Sequence, residues 1–172
     1  MALRPRKAMV LSPCFSEYET ALKVFGTETA HYLLRREDDF ALTEAFLPTL
    51  ERFDGEMLML CNPNNPTGQV IERPLMEKIL EICRRRNIFL FIDECFLDLT
   101  QGGETFSMKP FLEGTENLFL LKAFTKSYGM AGLRLGYCLC GNEELLRTMG
   151  RQVQPWNVSI PAQAAGIAAL SQ

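Results

Sequence analysis

Two apolar runs, Met57 to Cys61 and Ile88 to Ile92, carry no charged residue and no alternation of polar with apolar positions. Between them lies Arg73 to Arg86, where Leu75, Ile79, Leu80 and Ile82 recur at helical spacing and Pro74 suits the first turn. A strand that is apolar throughout reads as buried on both faces, and strands alternating with amphipathic helices imply a largely parallel sheet. This three-element unit therefore predicts an α/β domain.

The rest of the chain repeats the alternation. Ala8 to Leu11 reads as a strand, and Ser16 to Phe25 as a helix with Ser16 as N-cap and Glu19 three residues on. Tyr32 to Leu34 reads as a strand, and Leu42 to Phe53 as a helix with Leu42, Phe46, Leu47 and Leu50 on one face. Asn117 to Leu121 and Leu135 to Leu139 complete the strands, and Glu143 to Gly150 and Pro161 to Leu170 the helices. The loop Gln101 to Lys109 is polar and contains glycine, which predicts mobility. No internal repeat, low-complexity segment or interdomain linker breaks the pattern.

The 172 residues suffice for one domain with a sizeable core. Hydrophobic residues at 47% and charged residues at 23% are globular composition, and a net charge of −3 favours neither nucleic acid nor an anionic membrane. No apolar run approaches a membrane span, and the basic N-terminus lacks the apolar core of a signal peptide. Cysteines at 14, 61, 83, 95, 138 and 140 form no C-x-x-C pair, and His31 is the single histidine. A metal site is not expected; the cysteines read as reduced and mostly structural, which points to the cytoplasm. His31, in a short strand-like run with no nucleophile or carboxylate motif beside it, reads as structural.

In parallel sheets, ligands gather beyond the carboxyl ends of the strands. Three chemically suggestive segments follow strands here. After Cys61 comes Asn-Pro-Asn-Asn-Pro-Thr-Gly, residues 62 to 68; after Ile92 comes Asp93-Glu94-Cys95-Phe96. After Leu121 comes Lys-Ala-Phe-Thr-Lys-Ser-Tyr-Gly-Met-Ala-Gly-Leu-Arg-Leu-Gly-Tyr, residues 122 to 137. Taken singly each has a bland explanation: Lys126 as a surface lysine, Asp93 as a cap or salt-bridge partner, Arg134 as a surface charge. Asn65 alone is a turn residue and Phe15 alone a core residue.

Together and in this order, the segments resemble the class I/II aminotransferases, the fold-type I pyridoxal phosphate enzymes. Residues 122 to 137 resemble that family's Schiff-base lysine motif, and 62 to 68 its N-P-x-N-P-T-G loop. Residues 93 to 96 resemble its D-E-x-Y segment, and Phe15 falls where the family places an aromatic against the cofactor ring. The resemblance covers essentially the whole chain. It implies the large domain of a three-layer α/β transferase, with pyridoxal 5'-phosphate as cofactor and Lys126 as the lysine that condenses with it. It further implies Asp93 at the ring nitrogen, Asn65 at the phenolate oxygen, Phe15 on the ring, and Thr125 and Arg134 on the phosphate.

Within the family, the resemblance runs to the branch holding threonine-phosphate decarboxylase and histidinol-phosphate aminotransferase. Phe96 in place of the D-E-x-Y tyrosine, Gln154-Pro155-Trp156-Asn157-Val158-Ser159 and Glu72-Arg73-Pro74-Leu75 lean toward the decarboxylase. That enzyme makes the aminopropanol phosphate of cobalamin biosynthesis. The implied partner is a small amino-acid phosphate, with neither nucleic acid nor membrane, in a homodimeric parent enzyme. The resemblance leads one to expect a Gly-rich phosphate segment before Ala8 and a C-terminal small domain after Gln172, neither of which residues 1 to 172 carry. Residues 1 to 172 thus read as the core of a longer enzyme, with little turnover expected from the piece alone. Ala123 stands where relatives often carry a phosphate-binding Ser or Thr.

Overall fold

The computed structural model describes residues 3–171; Met1, Ala2 and Gln172, the ends of the expected domain, lie outside it. Six strands form one sheet among the described residues: β1 (Lys7–Ser12), β2 (Glu28–Leu33), β3 (Met57–Cys61), β4 (Phe89–Asp93), β5 (Leu118–Ala123) and β6 (Gly136–Cys140). Helices α1 (Ser16–Val24), α2 (Leu47–Arg52), α3 (Arg73–Arg85), α4 (Phe124–Ser127), α5 (Glu143–Gly150) and α6 (Ile160–Leu170) connect or follow them. The spatial order is β2-β1-β3-β4-β5-β6, parallel except for the antiparallel β5–β6 pair. The expected α/β class with a mostly parallel sheet is what the chain forms.

Strand periodicity divides the core in two. Leu58, Leu60, Leu90, Ile92, Leu118 and Leu120 pack with Leu50 of α2 and Met76, Ile79, Leu80 and Cys83 of α3. The alternate positions Ala8, Val10, Met57, Met59 and Cys61 face Tyr18 and Leu22 of α1. Each fully buried leucine or isoleucine contributes about 1.5–3 kcal/mol relative to exposure, so the α3 face is the larger source of stability.

Three local expectations are corrected. Ser16 does not cap α1: it is the first helical residue, Phe15 occupies the cap position, and no side chain bonds the exposed amides. Leu42 to Phe53 is not one helix. A 3-10 turn spans Glu44–Phe46 and α2 begins at Leu47. The cause is Pro48, whose missing N–H and ring forbid a continuous helix from residue 44, while it is tolerated in the first turn of α2. The loop at 101–109 is pinned. Ser107 and Met108 are buried, and Glu94 accepts hydrogen bonds from Ser107 Oγ and Met108 N, each at 2.9 Å. Arg73 donates to the carbonyls of Glu104 and Ser107 at 3.2 and 3.1 Å.

The order reverses between β1 and β3: β2 lies outside β1, while β3, β4 and β5 follow in the opposite direction. Such a switch point opens a crevice at the strand ends where flanking loops part. The loops after β1, β3, β4 and β5 all empty into that region.

Candidate active site

One cavity of about 380 Å³ lies there, within the size range of cofactor sites. All six residues singled out from the sequence line it: Phe15, Asn65, Asp93, Thr125, Lys126 and Arg134. They arrive from the ends of four separate strands, so their convergence is a property of the sheet order and not of any one motif.

Asp93 ends β4 opposite Cys61 of β3 and Leu121 of β5, and the residue is 9% exposed. A buried carboxylate needs donors. Tyr18 Oη donates to Oδ2 at 2.7 Å, and the Cys95 backbone N–H donates to Oδ1 at 2.9 Å. Burial above all, with Cys61 and Asp93 alongside, pushes the Tyr18 hydroxyl far above its ordinary pKa and keeps it a donor. The Phe15 ring meets Tyr18 edge-on, with centroids 5.6 Å apart, so the same tyrosine orients both an acid and an aromatic wall.

The asparagine loop divides its labour. Asn62 clamps its own loop, accepting from Ile71 N at 2.9 Å and donating to Ile71 O at 3.2 Å. Asn64 donates to Pro13 O at 3.1 Å and to Thr67 Oγ1 at 3.0 Å, tying the end of β3 to the end of β1. Gly68 closes the turn at φ +73°, a conformation glycine adopts without strain. Asn65 is left at the cavity wall.

Lys126 sits on α4, a helix of four residues that follows β5 directly. Its Nζ lies 5.0 Å from the centroid of the Phe96 ring, a cation–π contact. Thr125 precedes it. Arg134 follows the turn in the left-handed region, at φ 57° and ψ 45°, and Nη1 donates to Ala131 O at 2.9 Å. A non-glycine residue held there costs about 1–3 kcal/mol, a strain found most often at ligand clamps.

The sequence reading missed Tyr18, Cys61 and Lys122 as site residues. Tyr18 carried the weak signal of lying one helical turn after Phe15. Lys122 carried a stronger one: a lysine in the run Leu-Phe-Leu-Leu-Lys-Ala must be buried and so requires partners. Its Nζ lies 2.9 Å from Asp98 Oδ1 and 3.6 Å from Glu94 Oε2. Burial works against the Lys122 ammonium, but Asp98 and Glu94 outweigh it and hold its pKa above the ordinary value. Burial pushes the fully enclosed Glu94 carboxyl up, against the opposing pull of Met108, Ser107 and Lys122. Removing one partner of a buried ion pair costs about 3–5 kcal/mol; the part-exposed Asp98 arm belongs at or below the low end of that range.

The donor set fits a flat aromatic aldehyde carrying a phosphate. Phe15 offers a ring face, Asp93 a buried acceptor for a protonated ring nitrogen, Lys126 an amine, and Arg134 with Thr125 donors for an anion. Pyridoxal phosphate has these features, and these residues would hold it. No group of three or more metal-ligating side chains occurs among the described residues.

The family model for aminotransferase class I and II matches residues 1–172. The threonine-phosphate decarboxylase of Salmonella typhimurium is 40% identical over 168 residues, 98% of this chain and 45% of that protein. The histidinol-phosphate aminotransferase of Methanococcoides burtonii is 33% identical over 165 residues, 96% of this chain and 43% of that protein. Among solved structures, the histidinol-phosphate aminotransferase of Clostridium acetobutylicum superposes with a TM-score of 0.86 at 26% identity, over 96% of this chain and 48% of that one. The chain thus spans rather less than half the length of the relatives it matches.

Proposed function

We propose, from the premise that this chain belongs to the aminotransferase class I and II family, that it is the cofactor-binding core of a pyridoxal phosphate enzyme releasing carbon dioxide from threonine O-3-phosphate. The observation that carries the reading is the meeting of the Lys126 amine with Asp93, Asn65 and Arg134 around one cavity. The choice of decarboxylation rests on the 40% identical relative and on the Phe96 and Pro155-Trp156-Asn157-Val158 details.

When bound, pyridoxal phosphate supplies an electron sink conjugated to the substrate Cα. The chain's residues do the rest. Asp93, anchored by Tyr18, holds a proton at the ring nitrogen and so strengthens the sink. Asn65 donates a hydrogen bond to the ring oxygen. Phe15 covers a ring face and limits its tilt. Arg134 and Thr125 grip the phosphate, the guanidinium through its fork of donors. Lys126 holds the cofactor in the resting site. As a free amine, Lys126 would supply the proton that takes the place of the departing carboxylate at the substrate Cα.

In this reading residues 1–172 are part of the large domain of a longer homodimeric enzyme acting in cobalamin biosynthesis. The substrate carboxylate is then bound by residues outside this chain, and the isolated piece is expected to bind cofactor weakly. A second reading, transamination of histidinol phosphate, is favoured by the superposition at a TM-score of 0.86.

Borohydride reduction of the full-length protein with pyridoxal phosphate, followed by peptide mapping, tests the cofactor site. Label on Lys126 supports it; label elsewhere, or none, overturns it. Assays with threonine phosphate, and separately with histidinol phosphate plus 2-oxoglutarate, divide the two reactions.

A further inference from the structure

Helix α4 has four residues, too few to be stable by itself, since helix formation needs several turns to repay nucleation. Something outside it must hold Lys126 in place. Local backbone bonds close the turn: Tyr128 N and Met130 N to Phe124 O, each at 3.3 Å, and Gly129 N to Lys126 O at 3.1 Å. None of these ties the turn to the strand that carries Asp93. Among the described residues, the side-chain hydrogen bond that leaves α4 is Ser127 Oγ to Asp98 Oδ2, at 3.1 Å.

Asp98 is a bridge. Its other oxygen, Oδ1, meets Lys122 Nζ at 2.9 Å. Lys122 is 5% exposed, lies on β5 four residues before Lys126, and also faces Glu94 Oε2 at 3.6 Å. Glu94 is wholly buried beside Asp93 and receives Ser107 Oγ and Met108 N. A chain of charge-assisted contacts therefore runs from the pinned loop through Glu94, Lys122 and Asp98 to Ser127, the neighbour of Lys126. It joins the end of β4 and the segment after it, which bear Asp93 and Phe96, to the segment after β5, which bears Lys126.

We propose that Lys122 is a positioning residue which, through Asp98 and Ser127, fixes the Lys126 turn against the segment carrying Asp93 and Phe96. The ammonium is shared between the Asp98 carboxylate and the buried Glu94. Asp98, so held, presents its second oxygen to Ser127. Without Lys122, Asp98 loses its charged partner and turns toward solvent, which releases Ser127. Arginine retains charge and donors, so Lys122→Arg preserves the tether where Lys122→Met destroys it. The role in cofactor chemistry rests on the proposed function; the mechanical tether does not.

Hydrogen–deuterium exchange on the purified full-length protein without cofactor reads the tether directly. Lys122→Met and Ser127→Ala are expected to speed exchange of the Tyr128, Gly129 and Met130 amides about tenfold, the effect of losing one charge-assisted bond. Exchange in β3 stays at the wild-type rate, and Lys122→Arg stays at the wild-type rate at all of these amides. A merely structural lysine would instead raise exchange throughout the sheet. Should Lys122→Met fail to fold, Ser127→Ala alone carries the measurement, because Ser127 is not a core residue. Unchanged exchange at residues 128–130 in Ser127→Ala, or acceleration spread over β3, overturns the proposal. Absorbance titration with pyridoxal phosphate then reads the consequence: an apparent Kd raised about tenfold in Ser127→Ala. An unchanged Kd alongside local acceleration overturns the link to cofactor binding. Wild-type protein that never forms a chromophore, with the exchange pattern intact, overturns the proposed function and leaves the tether standing.

Discussion

Tyr18 Oη donates a 2.7 Å hydrogen bond to the buried Asp93 carboxylate across 75 positions of sequence. The bond joins α1 to the end of β4 over the switch point of the sheet, and the same ring braces Phe15. One tyrosine thus supports both an electrostatic and an aromatic wall of the cavity.

Removal of that hydroxyl should be felt twice. Tyr18→Phe keeps the packing but leaves Asp93 held by the Cys95 N–H, and is expected to lower stability by about 1.5–3 kcal/mol, as for a buried bond to a charged group. Urea unfolding measures the loss, and pyridoxal phosphate affinity should weaken in parallel. Stability within about 0.5 kcal/mol of wild type would show that the bond is not made in solution.

Lys126 is exposed at the cavity, with its Nζ over the Phe96 ring. Lys126→Ala should therefore change stability by no more than about 0.5 kcal/mol, the usual range for a surface substitution. Borohydride should at the same time fail to fix any label from pyridoxal phosphate. Retained labelling in the variant would move the amine to another lysine.

Phe96 lines the same cavity as Lys126 and lacks the hydroxyl that the D-E-x-Y pattern carries at this position. Phe96→Tyr should lower the pH midpoint of the visible absorbance change of the cofactor-loaded protein, because an added hydrogen bond favours the ionised ring oxygen and disfavours protonation next to it. An unchanged or raised midpoint in the spectrophotometric titration would count against the assignment.

Gly103 anchors the pinned loop. A Cβ there would stand 2.1 Å from Leu97 O, a backbone atom that cannot move aside alone. Gly103→Ala is expected to cost about 2–4 kcal/mol through overpacking and lost loop bonds. Thermal unfolding measures it, and proteolysis should open first within residues 101–109.

Cys83 supplies a pH dependence with a definite sign. Burial pushes its thiol from an ordinary 9.0 up to about 12. Between those values the unfolded chain has released the proton and the folded chain retains it. The folded state binds more protons there, so its stability falls as pH rises from 9 toward 12. Cys61, pushed up to about 11 by burial and by Asp93, acts in the same direction. Cys83→Ala should flatten the fall in stability measured by urea unfolding between pH 9 and 11. An equal slope in variant and wild type would remove Cys83 as a contributor.

Much of the architecture was legible because it depends on residues close together in sequence. Met57 to Cys61 and Glu143 to Gly150 have the bounds their patterns predict, and α3 ends one residue earlier than its pattern does. The exceptions are instructive. Ser16 looked like a cap, but its neighbour Phe15 takes the extended cap conformation and turns its ring to Tyr18. Leu42 to Phe53 kept its apolar face, with Leu42, Phe46 and Leu50 buried, yet Pro48 divided it. The loop at 101–109 looked mobile because its own residues are polar; what holds it are Glu94 and Arg73, which no local pattern reveals.

The amino-acid sequence by itself determined the alternation of strands and helices, the placing of Asn65, Asp93 and Lys126 at or just beyond strand ends, and the need of Lys122 for partners. Each follows from local chemistry: side-chain period, turn residues, and the penalty on a charge within an apolar run. Tertiary structure alone decided that β1 lies between β2 and β3, and so that Tyr18 reaches Asp93 and Asp98 bridges Lys122 to Ser127. Those contacts depend on strand order and register, which are set by the joint burial of both sheet faces. No single segment contains that information.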